Sequence, residues 1–439
     1  VEDILTRSEQ LKQALEDFVL EAEGDLAVSL ETFSAKRLAQ SPGVNTQMVL
    51  LLFLLRGRVN GKTPIELFLE SELDLSQGDR QLVSNWQNSI IGIFVVTETA
   101  EDGFQLQNWM TEKPYTVKLK NASEKQQLSR IKVGEIVVAA ISPVTDSDWI
   151  FSSSCTILGK LGKPKLAVAI GNFKQNYPDY LYADAPELLE AAWSSVEWYH
   201  QQFMDFFGTD EIVLPGYQLE KKLTEFQALI NENRLASAGI DSSKSLSELA
   251  QEAGISAEEI AETAAGMGTD AKTVNKLLNN PAASKMMTPQ IQLPPEIKKA
   301  SEVTVISHPR WGQVFLTTYT QLQSLLANPS SDNTATLSNL LTEALRKPEY
   351  NAYIWQRLAE KYPSELENSL RQELNRPNFL LKSNLPDVLE EFGKQINPQL
   401  PEIASVPLHL HNLFQEAVLE VNNKQKIKNK NQVRKGFST

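Results

Sequence analysis

The chain of 439 residues has one cysteine, Cys155. One thiol closes no intrachain disulfide and leaves a thiolate metal site almost without ligands, which suits a reducing compartment. Histidine is scarce as well: His200, His308, His409 and His411 are the four in the chain. The longest apolar run, Met48 to Leu55, is eight residues, far short of the ~20 that cross a bilayer. No membrane span is expected. Neither GxGxxG nor GxxxxGK[ST] occurs, so no Gly-rich phosphate loop follows a strand. The opening residues, VEDILTRSEQ, are acidic and mixed, unlike a secretory signal. A cytoplasmic location is the expectation from these absences.

What is present is ordinary for a globular chain, with 41% hydrophobic and 22% charged residues. The length predicts two to four domains. The formal charge is −13, which repels polyanions at long range. It is unevenly spread. Residues 421–439 hold six basic side chains and no acid, so +6 in the tail leaves −19 on residues 1–420.

The predicted fold class is α+β, predominantly helical, with a small OB-like or SH3-like β-barrel inserted between helical domains. Residues 1–88 show helical periodicity through Leu11, Leu15, Phe18 and Val19, and Thr63 followed by Pro64 reads as a helix start. Over residues 89–171 the periodicity changes. IIGIFVVTETA, FQLQNWM, PYTVKL, GEIVVAAISPV, DWIFSSSCTIL and KLAVAI are β-branched or aromatic runs broken by Gly, Asp and Pro. A helical turn at SEKQQLSRI divides them, an order that fits a small barrel. Residues 172–280 return to helix, with an extended TDEIVLPG inside. Residues 281–300 read as a linker, 301–421 as a mainly helical domain opened by a strand at EVTVIS, and 422–439 as a disordered basic tail.

Residues 245–268, SLSELAQEAGISAEEIAETAAGMG, have the outline of a DNA-reading helix-turn-helix. They contain five glutamates and no Lys or Arg, whereas affinity for DNA comes largely from cations against phosphates. The stretch reads as a helical hairpin instead. AAGMGTDAKTVNKLL resembles an annexin calcium loop over about a dozen residues, but the later acid and the fourfold repeat are missing; helix-end glycines and a cap at Thr269 or Asp270 account for it more simply.

Candidate site residues fall in two groups. On the barrel, Phe104, Trp109 and Tyr115 are of the type that stacks on bases, and Lys113, Lys118 and Lys120 of the type that meets phosphates. In the competing reading the rings fill the barrel and the lysines solvate its outer face. Arg310 and Trp311, in SHPRWGQVF, follow a strand and precede a helix, and both types are frequent at interface hot spots. There the alternative is a core tryptophan with Arg310 lying along the surface. His409 and His411 stand two apart on a helical stripe, which makes them diverge and argues against a metal site. Ser152 to Cys155, SSSC, offers nucleophiles without a recognisable base. No catalytic residue, metal or cofactor is assigned.

Residues 92–152, with a GxFxV opening, a GExVxAxIxP strand and a WxFS close, resemble a small β segment of bacterial proteins of unassigned function. In some of these a helical region with a stretch similar to FFGTDEIVLPG follows, extending the likeness through Gly216. The matched positions are Gly, Pro and Trp, so the resemblance implies domain order and transfers no activity.

The sequence therefore predicts a non-catalytic cytosolic binding or assembly protein with a protein partner. Two alternatives stay open. One is a single-stranded nucleic-acid binder using barrel and tail; the other is an enzyme with an unrecognised site. The oligomeric state is not legible.

Overall fold

Leu11, Leu15 and Val19 recur every four residues and all are buried, which fixes the inner stripe of α1 (Glu2–Leu20). It is followed by α2 (Asp25–Gln40) and α3 (Thr46–Arg56). Asn45 starts α3 by accepting the N–H of Gln47 at 2.9 Å. Seven of the eleven residues of α3 are buried, so it is an interior helix without a polar face. α4 (Pro64–Ser71) opens on a capping box: Thr63 N–H donates to Glu66 Oε2 at 2.7 Å, and Glu66 N–H returns a bond to Thr63 Oγ1 at 3.2 Å. α5 (Gln77–Asn85) leads to the strands.

The computed structural model describes residues 2–40, 45–72, 74–237, 293–414, 416–417 and 420–421. The helix-turn-helix-like stretch, the annexin-like triplet, the first part of the linker and the basic tail lie outside them. The chain divides into two compact units, one of residues 1–190 with those from 406 onward, the other Ala191–Ser405.

In the first unit, β1 (Ile90–Ala100), β2 (Gly103–Asn108), β3 (Pro114–Lys118), α6 (Ala122–Leu128), β4 (Ile136–Pro143), β5 (Asp148–Phe151) and β6 (Thr156–Gly159) follow one another. The strand order is β1-β2-β3-β5-β4, with β6 beside β4, and a β1–β4 pairing closes a five-strand barrel. β1 serves both neighbours because it is long. Ile90 to Val95 pair with β4, Phe94 to Ala100 pair with β2, and a register shift between Val96 and Glu98 bends the strand between them. β3 and β5 are parallel. Phe94, Phe104, Leu106, Tyr115, Val117, Ile141 and Phe151 fill the interior. At Gly92 a Cβ would fall 2.6 Å from the Phe94 ring, so the ring packs over bare backbone.

KLAVAI departs from its strand reading. It lies within α7 (Lys163–Asn176), where Pro164 occupies the first turn. A short apolar run has no period of its own, and the proline that favours a helix start decides it.

The second unit contains α8 (Pro186–Phe207) from Ala191 onward, then β7 (Glu211–Leu214) and α9 (Gly216–Ser237). Gly208 ends α8 with φ +75°. After Leu293 come α10 (Pro295–Lys299), β8 (Val303–His308) and β9 (Gly312–Leu316). Helices α11 (Tyr319–Ala327), α12 (Thr334–Arg346), α13 (Ala352–Lys361), α14 (Pro363–Glu373) and α15 (Leu381–Glu391) complete it. β7, β8 and β9 form an antiparallel sheet with β8 in the middle. Phe203, Phe226 and Ile230 pack with Val303 and Val305, while Ile306, Val314 and Leu316 pack with Tyr319, Trp355 and the helices that follow. Arg310 and Trp311 thus precede a strand, GQVFL, before the helix. Pro386 sits inside α15.

Candidate functional site

β7 and β8 carry two sequence stretches to one place. Their register sets Glu211 opposite Ile306, and Ser307 N–H donates to the Asp210 carbonyl at 2.8 Å. Asp210 and Glu211 therefore stand beside Ser307 and His308. From α13, Arg357 donates to Asp210 Oδ2 at 2.5 Å, Asp210 Oδ1 at 3.3 Å, Glu211 Oε2 at 2.9 Å and the Tyr353 hydroxyl at 3.0 Å. The His308 ring lies against Tyr353, with centroids 4.2 Å apart. From α8, His200 Nδ1 shares a hydrogen bond of 3.1 Å with Ser307 Oγ.

Electrostatics follow from this packing. Burial opposes ionisation of Asp210, but the bonds and charge of Arg357 outweigh it and hold the carboxyl below its ordinary value. Arg357 is raised, first by its bonds to Asp210. Both imidazoles are pulled down, His200 by burial and His308 by burial and then by the charge of His200. His308 Nδ1 accepts the N–H groups of Arg310 at 3.0 Å and Trp311 at 3.2 Å. That nitrogen is thereby unprotonated, and the turn is pinned from within.

A serine, a histidine and an aspartate in one cluster resemble hydrolase parts, yet the geometry serves bracing. Ser307 is 1% exposed, so no substrate carbonyl reaches its hydroxyl. Asp210 has its carboxylate committed to Arg357 rather than to His200. SSSC fares similarly. Ser152 is buried and bonded to Ser142, and burial pushes the Cys155 thiol up to about 12, leaving little thiolate at neutral pH. Among the described residues no group of three or more His, Cys, Asp or Glu is arranged to hold a metal ion.

At the tip of the β8–β9 turn, the Arg310 guanidinium sits 5.0 Å from the centroid of the Trp193 ring. Arg310 is exposed and Trp193 half-buried. Trp311 is half-buried against the helical core of the same unit. The two sequence candidates are therefore split: Arg310 faces solvent, while Trp311 anchors the turn. Trp193, Asp210, Glu211, Tyr353 and Arg357 carry no site motif in the sequence; of these, Asp210 and Glu211 lie in the FFGTDEIVLPG stretch.

The barrel candidates are spread differently. Phe104 and Tyr115 belong to the barrel core, 6% and 7% exposed. Tyr115 donates its hydroxyl to Asp184. Trp109 is half-buried just past β2, and its carbonyl is 2.9 Å from His409 Nε2. Lys118 pairs with Asp102 at 2.6 Å, Lys120 with Glu124 at 3.4 Å and Lys113 with Glu187 at 3.6 Å. His409 also approaches Glu112, 3.4 Å from Nδ1.

No known protein family, curated protein or solved structure matches this chain at a significant level.

Proposed function

We propose that this is a non-catalytic binding protein whose recognition surface is the β8–β9 turn, with Arg310 stacked on Trp193. One observation carries the reading: an exposed guanidinium rests 5.0 Å from an indole centroid, on a turn whose backbone is fixed by His308. Arg and Trp dominate binding hot spots because they offer large contact area and several directed donors. A turn already locked loses little entropy when a partner docks. The surrounding acids, bases and nucleophiles are engaged in bracing, which supports binding over catalysis. The barrel, OB-like in its strand order and in the helix between its third and fourth strands, acts in this reading as a scaffold, and the protein works in the cytoplasm on a protein partner.

The test is capture from the native cell at moderate salt, with nuclease treatment, comparing the full chain with a variant carrying both Arg310→Ala and Trp193→Ala. A stoichiometric protein retained by the first and lost by the second is the expected result. Retention by both, or recovery of nucleic acid alone, overturns the assignment.

A further inference from the structure

The β8–β9 turn leads into an edge that is open among the described residues. β9 pairs with β8 on one side and with no described strand on the other. Which backbone groups face that opening follows from register. Ser307 directs its N–H to Asp210, before β7. Alternation along β8 then turns Thr304, Ile306 and His308 toward β9, where they face Leu316, Val314 and Gly312. Gln313 and Phe315 are left with N–H and C=O groups pointing away from β8, about 6.8 Å apart along the strand.

Exposed edges are normally blunted by Lys, Pro or a bulge. GQVFL has no charge and no proline, and its pairing to β8 is regular from Gly312 to Leu316. A cleft of about 590 Å³ runs beside it, lined by Trp311, Gln313, Phe315 and Thr317 of the edge and by residues of α10 and the α12–α13 connection. The Gln313 side-chain nitrogen is buried there without an acceptor. The cleft has a charge preference. Lys347 pairs with Glu343 at 2.5 Å, and no described cation lies within ion-pair distance of Glu296 or Glu349 on its walls, the buried Lys394 acting on Glu349 only at longer range.

We infer that the β9 edge takes up an extended, lysine- or arginine-bearing segment of a partner protein as a fourth strand, bonded through the main chain of Gln313 and Phe315. Backbone bonds give such a contact its affinity, and alternate side chains give it selectivity. Glu296 and Glu349 select the basic side chains by charge. This deepens the protein-binding reading above and rests on it, but it uses a different part of the hairpin.

Hydrogen exchange on the unaltered full chain tests it. In the free protein the Val314 and Leu316 amides exchange slowly and those of Gln313 and Phe315 fast. The probe acetyl-KVTVKV-amide slows Gln313 and Phe315 at least tenfold at millimolar concentration, and the same peptide N-methylated at alternate residues on its edge-facing side does not. Equal protection by the methylated peptide, no protection by either, or slow exchange of Gln313 and Phe315 before any peptide is added overturns the inference. The two readings fail separately. Loss of the captured partner on changing Arg310 and Trp193, without edge protection, keeps the turn surface and removes the fourth strand. Edge protection with undiminished capture by that variant does the reverse.

Discussion

Arg357 meets the Asp210 carboxylate with both terminal nitrogens, at 2.5 and 3.3 Å, across 147 residues of sequence. The pair ties the helical half of the second unit to the start of its sheet. Because Arg357 also holds Glu211, one cation balances two acids side by side.

Replacing Arg357 by Met is therefore expected to cost about 2 kcal/mol, since it leaves two half-buried carboxylates facing each other. Lys at this position keeps the charge but loses the planar fork, and recovers less than half. Urea unfolding measures both. A cost under about 0.5 kcal/mol would place the pair with ordinary surface ion pairs. Acid has a defined sign here. Asp210 is held below its ordinary value, so its contribution is complete above the unfolded pKa of about 4 and is lost as pH falls through the lower native value. In Arg357→Met that acid loss shrinks.

Two glycine substitutions are expected to act in opposite directions. At Gly216 an added Cβ would stand 2.0 Å from the Ile297 carbonyl oxygen and 2.6 Å from that of Lys298. Both are backbone atoms, so Gly216→Ala forces α10 away from α9 and costs roughly 3 kcal/mol or more. Gly171 lies inside α7 with nothing within 4 Å of the added carbon. There Gly171→Ala gains about 0.5 to 1 kcal/mol through helix propensity. Thermal melts of the two variants check the contrast; equal shifts would contradict it.

These examples mark what was readable beforehand. Thr63, Pro64 and Glu66 encode a helix start within four residues, so the capping box was legible. The barrel strands were legible because β-branched runs alternate with Gly and Pro. For Phe104 and Tyr115 the barrel-filling reading holds, one of the two readings the sequence allows, since a strand's period of two says that neighbours face opposite sides without saying which side is inside. GQVFL escaped because a five-residue strand with Gly first and Gln second carries little β signal. Asp210 and Arg357 lie farthest from reach: nothing local in GTDEIVLPG or AYIWQRLAEK states that they meet.

His308 gives the β8–β9 turn a pH dependence. Its imidazole is pulled below its ordinary 6.5, by burial first, and its acceptor nitrogen receives two backbone N–H groups. Between the native value and 6.5 the unfolded chain binds more protons, so this stabilisation is complete above 6.5 and declines as pH falls below it. The amides of Arg310 and Trp311 are expected to lose protection as pH falls through the lowered native value, in proportion to His308 protonation followed by NMR. Exchange that ignores the titration, once corrected for intrinsic rates, would show that other contacts hold the turn.

Arg310→Ala alone is expected to leave stability within about 0.5 kcal/mol, because exposed side chains away from the core contribute little. The backbone N–H that holds the turn survives the substitution. A loss of 2 kcal/mol or more would mean that the stack on Trp193 builds the fold, and would remove it as a surface reserved for a partner.

Lys394 supplies the most direct linkage test. Its side chain is buried, 5% exposed, and donates to the Ala344 carbonyl at 2.7 Å and to that of Lys347. The ammonium thus satisfies carbonyls at the end of α12, where a cation also meets the negative end of the helix dipole. Burial nevertheless pulls its pKa down to about 8 from 10.5. Between those values the unfolded chain holds more protons than the native one, so stability attributable to this group rises with pH across the window. The cost of enclosing the charge is greatest below pH 8 and has gone by 10.5. Lys394→Met removes the titration together with the two bonds. Wild type is expected to gain on the order of 1 to 3 kcal/mol relative to that variant between the two pH values, and a difference that stays flat would show the amine to be solvated in the native state.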